Sequence, residues 1–262
     1  MKYFSLVIPV YKQEKTIKSD IERILVSLKH INEPVEIIIV IDGDLDNSRS
    51  EAMKVRDPRV KVIGYPTNHG KGYAVRYGFA KSKGDVISFL DSGGDLNPVS
   101  LGLALETFLW QDADIVIGSK RHPNSKVNYP LYRKIFSLGY QMLTFILFGL
   151  NVRDTQVGLK IYKREVLESV LPRLLVKRFA FDIEILSVAY HLGYRNISET
   201  PIELNFKNIS TITSNTFWST IINMLKDTLA VFYRLRILRY YDDENKRKWK
   251  YDPELNFRVN IG

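Results

Sequence analysis

The strongest constraint on this chain is a rhythm in its first half: short apolar, β-branched runs, each followed by a segment with helical spacing. The runs are Phe4 to Pro9, Val35 to Ile41, Val60 to Gly64, Val86 to Leu90 and Ile115 to Gly118. Continuous apolar runs mark strands buried on both faces. Strand followed by helix, repeated, predicts an α/β fold with a mostly parallel central sheet and helices on both faces. Between the first two runs, Ile17, Ile21, Ile24, Leu25 and Leu28 recur at helical spacing, which predicts an amphipathic crossover. Asn68-His69-Gly70-Lys71-Gly72 opens another helix that runs to about Ser82 and stops at Lys83-Gly84. Ligands of such sheets bind outside the carboxyl ends of the strands, so chemistry is expected in the loops that follow them.

From Pro130 the pattern turns helical, through Arg133 to Phe148, and Asp154 to Lys163 reads as irregular or extended. A further helix spans Phe181 to Leu192 and ends at Gly193. Near the end, Trp218, Ile221, Ile222, Leu225, Leu229, Phe232 and Tyr233 fall on one helical stripe, followed by the basic, aromatic cluster Arg234, Arg236, Arg239, Tyr240 and Tyr241. An amphipathic helix with a basic flank suits in-plane contact with an anionic membrane surface. The alternative is that the stripe packs on the domain or on a second subunit. The expected organisation is an α/β domain over 1–212, an amphipathic extension over 213–241 and a loosely ordered charged tail over 242–262.

Composition narrows the chemistry. The 262 residues include no cysteine, which excludes a disulfide scaffold, a thiolate metal site and a cysteine nucleophile, and the 4 histidines show no metal-ligand spacing. Carboxylates, amines, hydroxyls and backbone remain. A net charge of +9 invites an anionic partner: nucleic acid, a phosphorylated substrate or an acidic lipid surface. No nucleic-acid module is recognisable, so nucleic acid is not the expected partner. The first residues show no secretory leader, and the longest apolar stretch, Met142 to Leu150, falls short of the roughly 18 residues a membrane span needs. The expectation is a cytoplasmic protein peripheral to the membrane.

Two acidic clusters follow predicted strands: Asp42-Gly43-Asp44-Leu45-Asp46 and Asp91-Ser92-Gly93-Gly94-Asp95. Either alone is explained by turn formation. At the same edge of one sheet, they suit a divalent cation bridging phosphates. The Lys71 loop fits neither the Walker spacing nor the dinucleotide fingerprint, since Val75 stands where the latter needs glycine. It leaves a lysine at a helix N-terminus, suited to a diphosphate, unless the glycines merely shape the turn.

Several of these runs also carry a resemblance. Val7-Ile8-Pro9-Val10-Tyr11, the stretch Ile38 to Ser48, Asn68 to Ala80, Gly84 to Asp91 and Gly118-Ser119-Lys120 occur in the order and spacing of family-2 glycosyltransferases with the GT-A fold. Asp154-Thr155-Gln156-Val157-Gly158-Leu159-Lys160, Phe181 to Leu186, Gly193-Tyr194 and Pro201-Ile202 resemble the subgroup that moves sugars to polyprenyl or dolichyl phosphate, and the first of these is most like dolichyl-phosphate glucosyltransferases. The resemblance covers roughly residues 4 to 205.

It implies an inverting hexosyltransferase that takes glucose or mannose from a UDP- or GDP-sugar to a polyprenyl phosphate at a membrane surface, reached through residues 217–241. Pro9 and Asp42 would line the base and ribose pocket, and Lys71 would approach the diphosphate. Asp91 matches the first acid of the metal-binding DxD motif and Asp95 a further ligand, for Mg²⁺ or Mn²⁺. Lys120, Arg133 and Ser137 match positions for the acceptor phosphate, Asp154 falls in the acceptor-side loop, and Asp182 and Glu184 match an acidic pair near the sugar. A homo-oligomer is compatible with it. Two departures stand out: Ile41 replaces the first of two adjacent acids, and Gly93 replaces the second acid of DxD. A lipid phosphate is already ionised and needs little base help. A soluble sugar acceptor would need a base from Asp154, Asp182 or Glu184, and a nucleotide-sugar binder without catalysis is the remaining alternative.

Overall fold

The computed structural model describes residues 3–31, 33–127, 131–176, 180–204, 214–244 and 249–260, with side chains except those of 131–133 and 214–220. Strands form where the apolar runs predict them: β1 (Phe4–Val10), β2 (Val35–Asp42), β3 (Val60–Tyr65), β4 (Val86–Leu90) and β5 (Ile115–Ser119). With β6 (Leu159–Lys163) and β7 (Ile197–Pro201) they make a sheet of order β3-β2-β1-β4-β6-β5-β7. Only β6 runs against its neighbours, so the sheet is mostly parallel, as expected.

The helices are α1 (Ile17–Ser27), α2 (Ser48–Met53), α3 (Lys71–Lys81), α4 (Val99–Trp110), α5 (Leu131–Phe148), α6 (Arg164–Val170), α7 (Phe181–His191) and α8 (Ser214–Phe232), the last continued by a π turn over Tyr233–Ile237. The two-residue period of the strands assigns them to two cores. Leu6, Ile8 and Val10 of β1 join Ile17, Ile21 and Ile24 of α1 and Leu101 and Leu105 of α4. Val7, on the opposite face, joins Val75 and Phe79 of α3, Ile183 and Leu186 of α7 and Val231 of α8.

The C-terminal residues differ from expectation. In place of a loosely ordered tail, 242–262 contain an antiparallel hairpin of β8 (Trp249–Asp252) and β9 (Phe257–Asn260). Its few apolar groups anchor it: Phe257 meets Phe79 edge-on at 6.1 Å, Leu255 is buried, and the Tyr73 hydroxyl donates to Glu254 at 2.5 Å. Tyr240 and Tyr241, expected in the flank facing a membrane, are likewise buried. Arg234 of the same expected flank also turns inward, its guanidinium 3.7 Å from the buried Glu184 carboxylate, whereas Arg236 and Arg239 stay exposed.

Helix α8 buries Thr228 and Val231, and the π turn buries Leu235. The stripe noted in the sequence divides: Ile222, Leu225, Leu229 and Tyr233 are exposed, while Phe232 packs on the core against Phe148 and Ile221 lines a cavity. Trp218 lies outside the described side chains. Helix α5 also exposes Ile135, Leu138, Met142, Phe145 and Ile146. No described helix is long and apolar enough to cross a membrane.

Candidate active site

The chain leaves β1 for β2 and β3 on one side and returns to β4 on the other, which makes β1/β4 the switch point of the sheet. Pairing of β1 with β4 ends at Val7 and Phe89, while pairing with β2 continues to Val10 and Ile41. Pro9, with no N–H to donate, sits beyond the last β4 pair. The strands part there and a cleft of about 610 Å³ opens. Pro9, Asp42, Lys71 and Asp91, the four residues expected at the donor, all line it, together with Gln156 and Asp182.

Asp42 shapes this cleft by holding its far wall. Its carboxylate accepts hydrogen bonds from the backbone N–H groups of His69 at 2.7 Å and Gly70 at 3.0 Å, and from the Asn68 side chain at 2.9 Å. That pins the turn into α3, where Gly70 takes a φ of +90° that a side chain would disfavour. The turn in turn delivers Lys71 to the cleft at the first position of the helix.

Four charged side chains then form a chain of alternating sign. Lys160 Nζ lies 2.6 Å from Asp182 Oδ1, Asp182 Oδ2 lies 2.8 Å from Lys71 Nζ, and Lys71 Nζ lies 2.9 Å from Asp91 Oδ1. Burial opposes the charge on Asp182, but the two ammonium groups outweigh it and hold its carboxyl below the usual range. Burial likewise opposes the charge on Lys71, and Asp182 and Asp91 together hold that ammonium above the usual lysine range. Lys160 is almost entirely withdrawn from solvent. Burial, reinforced by the like charge of Lys71, brings it below that range despite Asp182.

Next to the cleft lie two further cavities. One, of about 240 Å³, is lined by Asp91, Ser92, Asp95, Lys120 and Gln156. The other, of about 330 Å³, runs between α5 and α8; Lys120, Asp154 and Gln156 give it charge and polarity, Phe136, Val152, Ile221 and Met224 give it an apolar surface, and Tyr140, Gln141 and Thr144 of α5 line it as well. Asp154 holds the charged residues together: one oxygen accepts from the Gln156 backbone N–H at 3.0 Å and the other lies 3.4 Å from Lys120 Nζ. Ser137 lines the same cavity. The Arg133 side chain lies outside the described residues.

The glycosyl transferase family 2 profile matches residues 5–171, more than half of the chain. The chain belongs to glycosyl transferase family 2. It is a glycosyltransferase enzyme with the GT-A fold. Among curated relatives, human dolichyl-phosphate beta-glucosyltransferase is 32% identical over 254 residues, covering 90% of this chain and 76% of that protein. The Drosophila melanogaster protein of the same name is 28% identical, covering 88% and 74%. A UDP-N-acetylglucosamine–dolichyl-phosphate N-acetylglucosaminyltransferase from Methanococcus voltae is 28% identical, covering 91% and 96%. Among solved structures, glucosyl-3-phosphoglycerate synthase from Mycobacterium tuberculosis, in complex with Mn²⁺, UDP and glucosyl-3-phosphoglycerate, superposes with a TM-score of 0.65 at 19% identity, covering 99% of this chain and 86% of that one. That likeness concerns the fold.

The structure separates Glu184 of this family-2 glycosyltransferase from the residues it was grouped with. Its carboxylate is fully buried and accepts from the N–H groups of Leu175 at 3.1 Å and Val176 at 2.9 Å and from the Tyr241 hydroxyl at 2.7 Å. It holds the chain segment before α7 and does not line the cleft. On a helix, positions two apart point in different directions, so Asp182 and Glu184 cannot share one target.

Two residues that sequence reasoning did not single out belong to the site. Gln156 lines all three cavities. Lys160 anchors the charge chain and donates to the Val157 carbonyl at 2.5 Å. A signal for Lys160 was present, since a lysine between Leu159 and Ile161 in an apolar strand is out of place unless paired. Gly158 completes this packing. A Cβ there would lie 2.1 Å from Asp91 Oδ2, so glycine lets the 154–158 loop back directly onto the acid.

For a divalent cation, Asp91 and Asp95 offer oxygen ligands on one cavity, while Gly93 offers none. Burial, with the nearby charge of Asp20, pushes the Asp95 carboxyl up. Among the described residues no group of three or more acids and histidines is placed to hold a metal unaided. This set fits Mg²⁺ or Mn²⁺ as family-2 enzymes bind them only if donor phosphates complete the shell, as is common for Mg²⁺.

Proposed function

We propose that this family-2 enzyme transfers glucose, with inversion, from UDP-glucose to the phosphate of a dolichyl or related polyprenyl phosphate at a membrane surface. The observation that carries the reading is that Gln156 lines both a cleft bearing Lys71 and Asp91 and an amphiphilic cavity, while Lys120 is shared between that cavity and the smaller one beside Asp91. A nucleotide sugar suits the first. An ionised head on an apolar chain suits the second. The dolichyl-phosphate transferases among its relatives support the same acceptor.

The state of the carboxylates favours a phosphate acceptor over a hydroxyl. Asp154 is paired with Lys120, Asp182 lies between two ammonium groups, and Glu184 is buried away from the cleft. The first two are held in ion pairs and the third lies off the cleft, which favours an acceptor that needs no base, and an ionised phosphate has no proton to lose. Lys120, with Ser137 and Arg133, would hold that phosphate for attack. Its oxygen bonds to the anomeric carbon as the bond from that carbon to the donor diphosphate breaks, and the electron pair leaves with UDP. A bound Mg²⁺ or Mn²⁺ held through Asp91 and Asp95 would neutralise charge on the departing diphosphate. Lys71, at the N-terminus of α3, supplies a further positive charge to the same oxygens.

Apolar side chains on α5 and α8, together with the exposed Arg236 and Arg239, support contact with an anionic membrane within residues 217–241 and along α5. The amphiphilic cavity opens between the same two helices, so a lipid acceptor would enter from the surface they touch.

Incubating the purified full chain with radiolabelled UDP-glucose and dolichyl phosphate tests this. Label is expected in the organic phase, in an acid-labile product. Label that appears only in water-soluble glycosides would overturn the lipid acceptor, and transfer from GDP-mannose but not UDP-glucose would overturn the donor.

A further inference from the structure

The acid expected to meet a divalent cation already has a cationic partner. Lys71 Nζ lies 2.9 Å from Asp91 Oδ1, on the side of Asp91 that faces the donor cleft. The same ammonium also binds Asp182 at 2.8 Å. These two ties are unequal. The Asp182 side chain is only 10% exposed, whereas that of Asp91 is 48% exposed, so the first tie is sheltered and the second is open to solvent and to exchange.

We propose that Lys71 and a divalent cation are alternative partners of Asp91, so that the cation binds appreciably only together with the donor diphosphate, which draws Lys71 off. This rests on the reading of the cleft as a nucleotide-sugar site. Four features of the chain make the two bind as a unit. Gly93 leaves the cation without a second acid from the motif, and no described cluster replaces it. A cation arriving alone would have to share one carboxylate with an ammonium group, against like-charge repulsion. A diphosphate removes both obstacles, since its oxygens complete the metal shell and offer Lys71 a new partner. The flexible four-carbon stem of lysine allows this change while Asp182 keeps hold of the same nitrogen. Lys160 remains on Asp182 throughout, so the buried acid does not lose its charge balance when Lys71 shifts.

Coupling of this kind is reciprocal and typically amounts to about 5- to 150-fold in affinity. The test measures Mn²⁺ binding directly, from the electron paramagnetic signal of the free ion, in the full chain without nucleotide. Wild type should bind Mn²⁺ weakly, and Lys71→Met should bind it at least about fivefold more tightly, at the low end of that coupling range. Lys71→Arg, which keeps a cation beside Asp91, should stay at the wild-type value, and adding Asp91→Asn to Lys71→Met should abolish the gain. Equal Mn²⁺ affinity in wild type and Lys71→Met, or weaker binding by the variant, overturns the proposal. Circular dichroism checks folding, and Lys71→Gln, closer in shape and polarity, decides the comparison if Lys71→Met does not fold. In a second arm UDP is titrated by calorimetry with and without Mn²⁺. Wild type should show mutual tightening that Lys71→Met largely lacks. If UDP binds under neither condition, the donor reading fails and the coupling with it, while the Mn²⁺-only comparison still decides whether Lys71 competes for Asp91.

Discussion

Lys160 and Asp182 form a pair 2.6 Å apart that is almost closed to solvent, on β6 and α7 directly behind the donor cleft. Neither side chain could be buried alone as an ion. The pair supports Lys71 on one side and the Val157 carbonyl on the other, so it links the donor wall to the loop that carries Asp154 and Gln156. Lys160→Met should therefore destabilise the fold by about 2–3 kcal/mol, less than the 3–5 typical of a broken buried pair because Asp182 keeps Lys71. A double-mutant cycle with Asp182→Asn, read by urea unfolding, should show coupling; additive losses would count against a shared role.

Asp91 has the only carboxylate of the charge chain that is widely open to the cleft. Asp91→Asn keeps its shape and removes its charge. Turnover of the nucleotide sugar should fall by about 100-fold or more, the usual scale for losing one charge-stabilising contact in the transition state. Unchanged kcat would refute the assignment.

For Glu184 the expectation is the opposite. Glu184→Gln leaves backbone N–H groups of Leu175 and Val176 with a weaker acceptor, and a stability loss of about 1–3 kcal/mol follows. KM for the donor and kcat, measured well below the melting temperature, should hold. A selective fall in kcat at unchanged stability would restore Glu184 to the chemistry.

Glu36 gives the acid limb of stability a testable part. Burial disfavours its charge, but Lys61, Ser5 and the Lys83 N–H outweigh that, so its carboxyl lies below the ordinary value of 4.5. A depressed acid stabilises the fold fully above its unfolded value and loses that contribution as pH falls through the folded one. Thermal melts of wild type should thus drop below about pH 4.5, and Glu36→Gln should show a shallower drop. Parallel curves would show that Glu36 carries none of it.

The proposed membrane contact can be tested on the exposed apolar faces of α5 and α8. Replacing Met142 and Leu229 together by aspartate should weaken flotation with anionic vesicles by at least about tenfold, since burying one such side chain is worth about 1.5–3 kcal/mol. Binding that survives both changes would place the contact elsewhere.

Sequence alone determined the strands β1 to β5, their main crossover helices and the residues that meet at the cleft, but not the antiparallel β6 or the edge strand β7. The former follow from local rules: buried strands need continuous apolar runs, α3 needs a glycine turn before Lys71, and acids at strand ends of a parallel sheet share one edge. The sequence also carried the family through motif order. Other features depended on which distant segments meet. The grouping of Asp182 with Glu184 came from the family resemblance, while helix geometry sends one to Lys71 and the other to Tyr241. The hairpin of β8 and β9 was hidden by its charges, because its anchor, Phe79, lies far away in sequence. Lys160 was not singled out, because its partner Asp182 is 22 residues away and reaches it only through the packing of α7. Tertiary structure decided these points for one reason: the cost of burying a polar or charged group is set by its partners, and partners distant in sequence are chosen only when the chain folds.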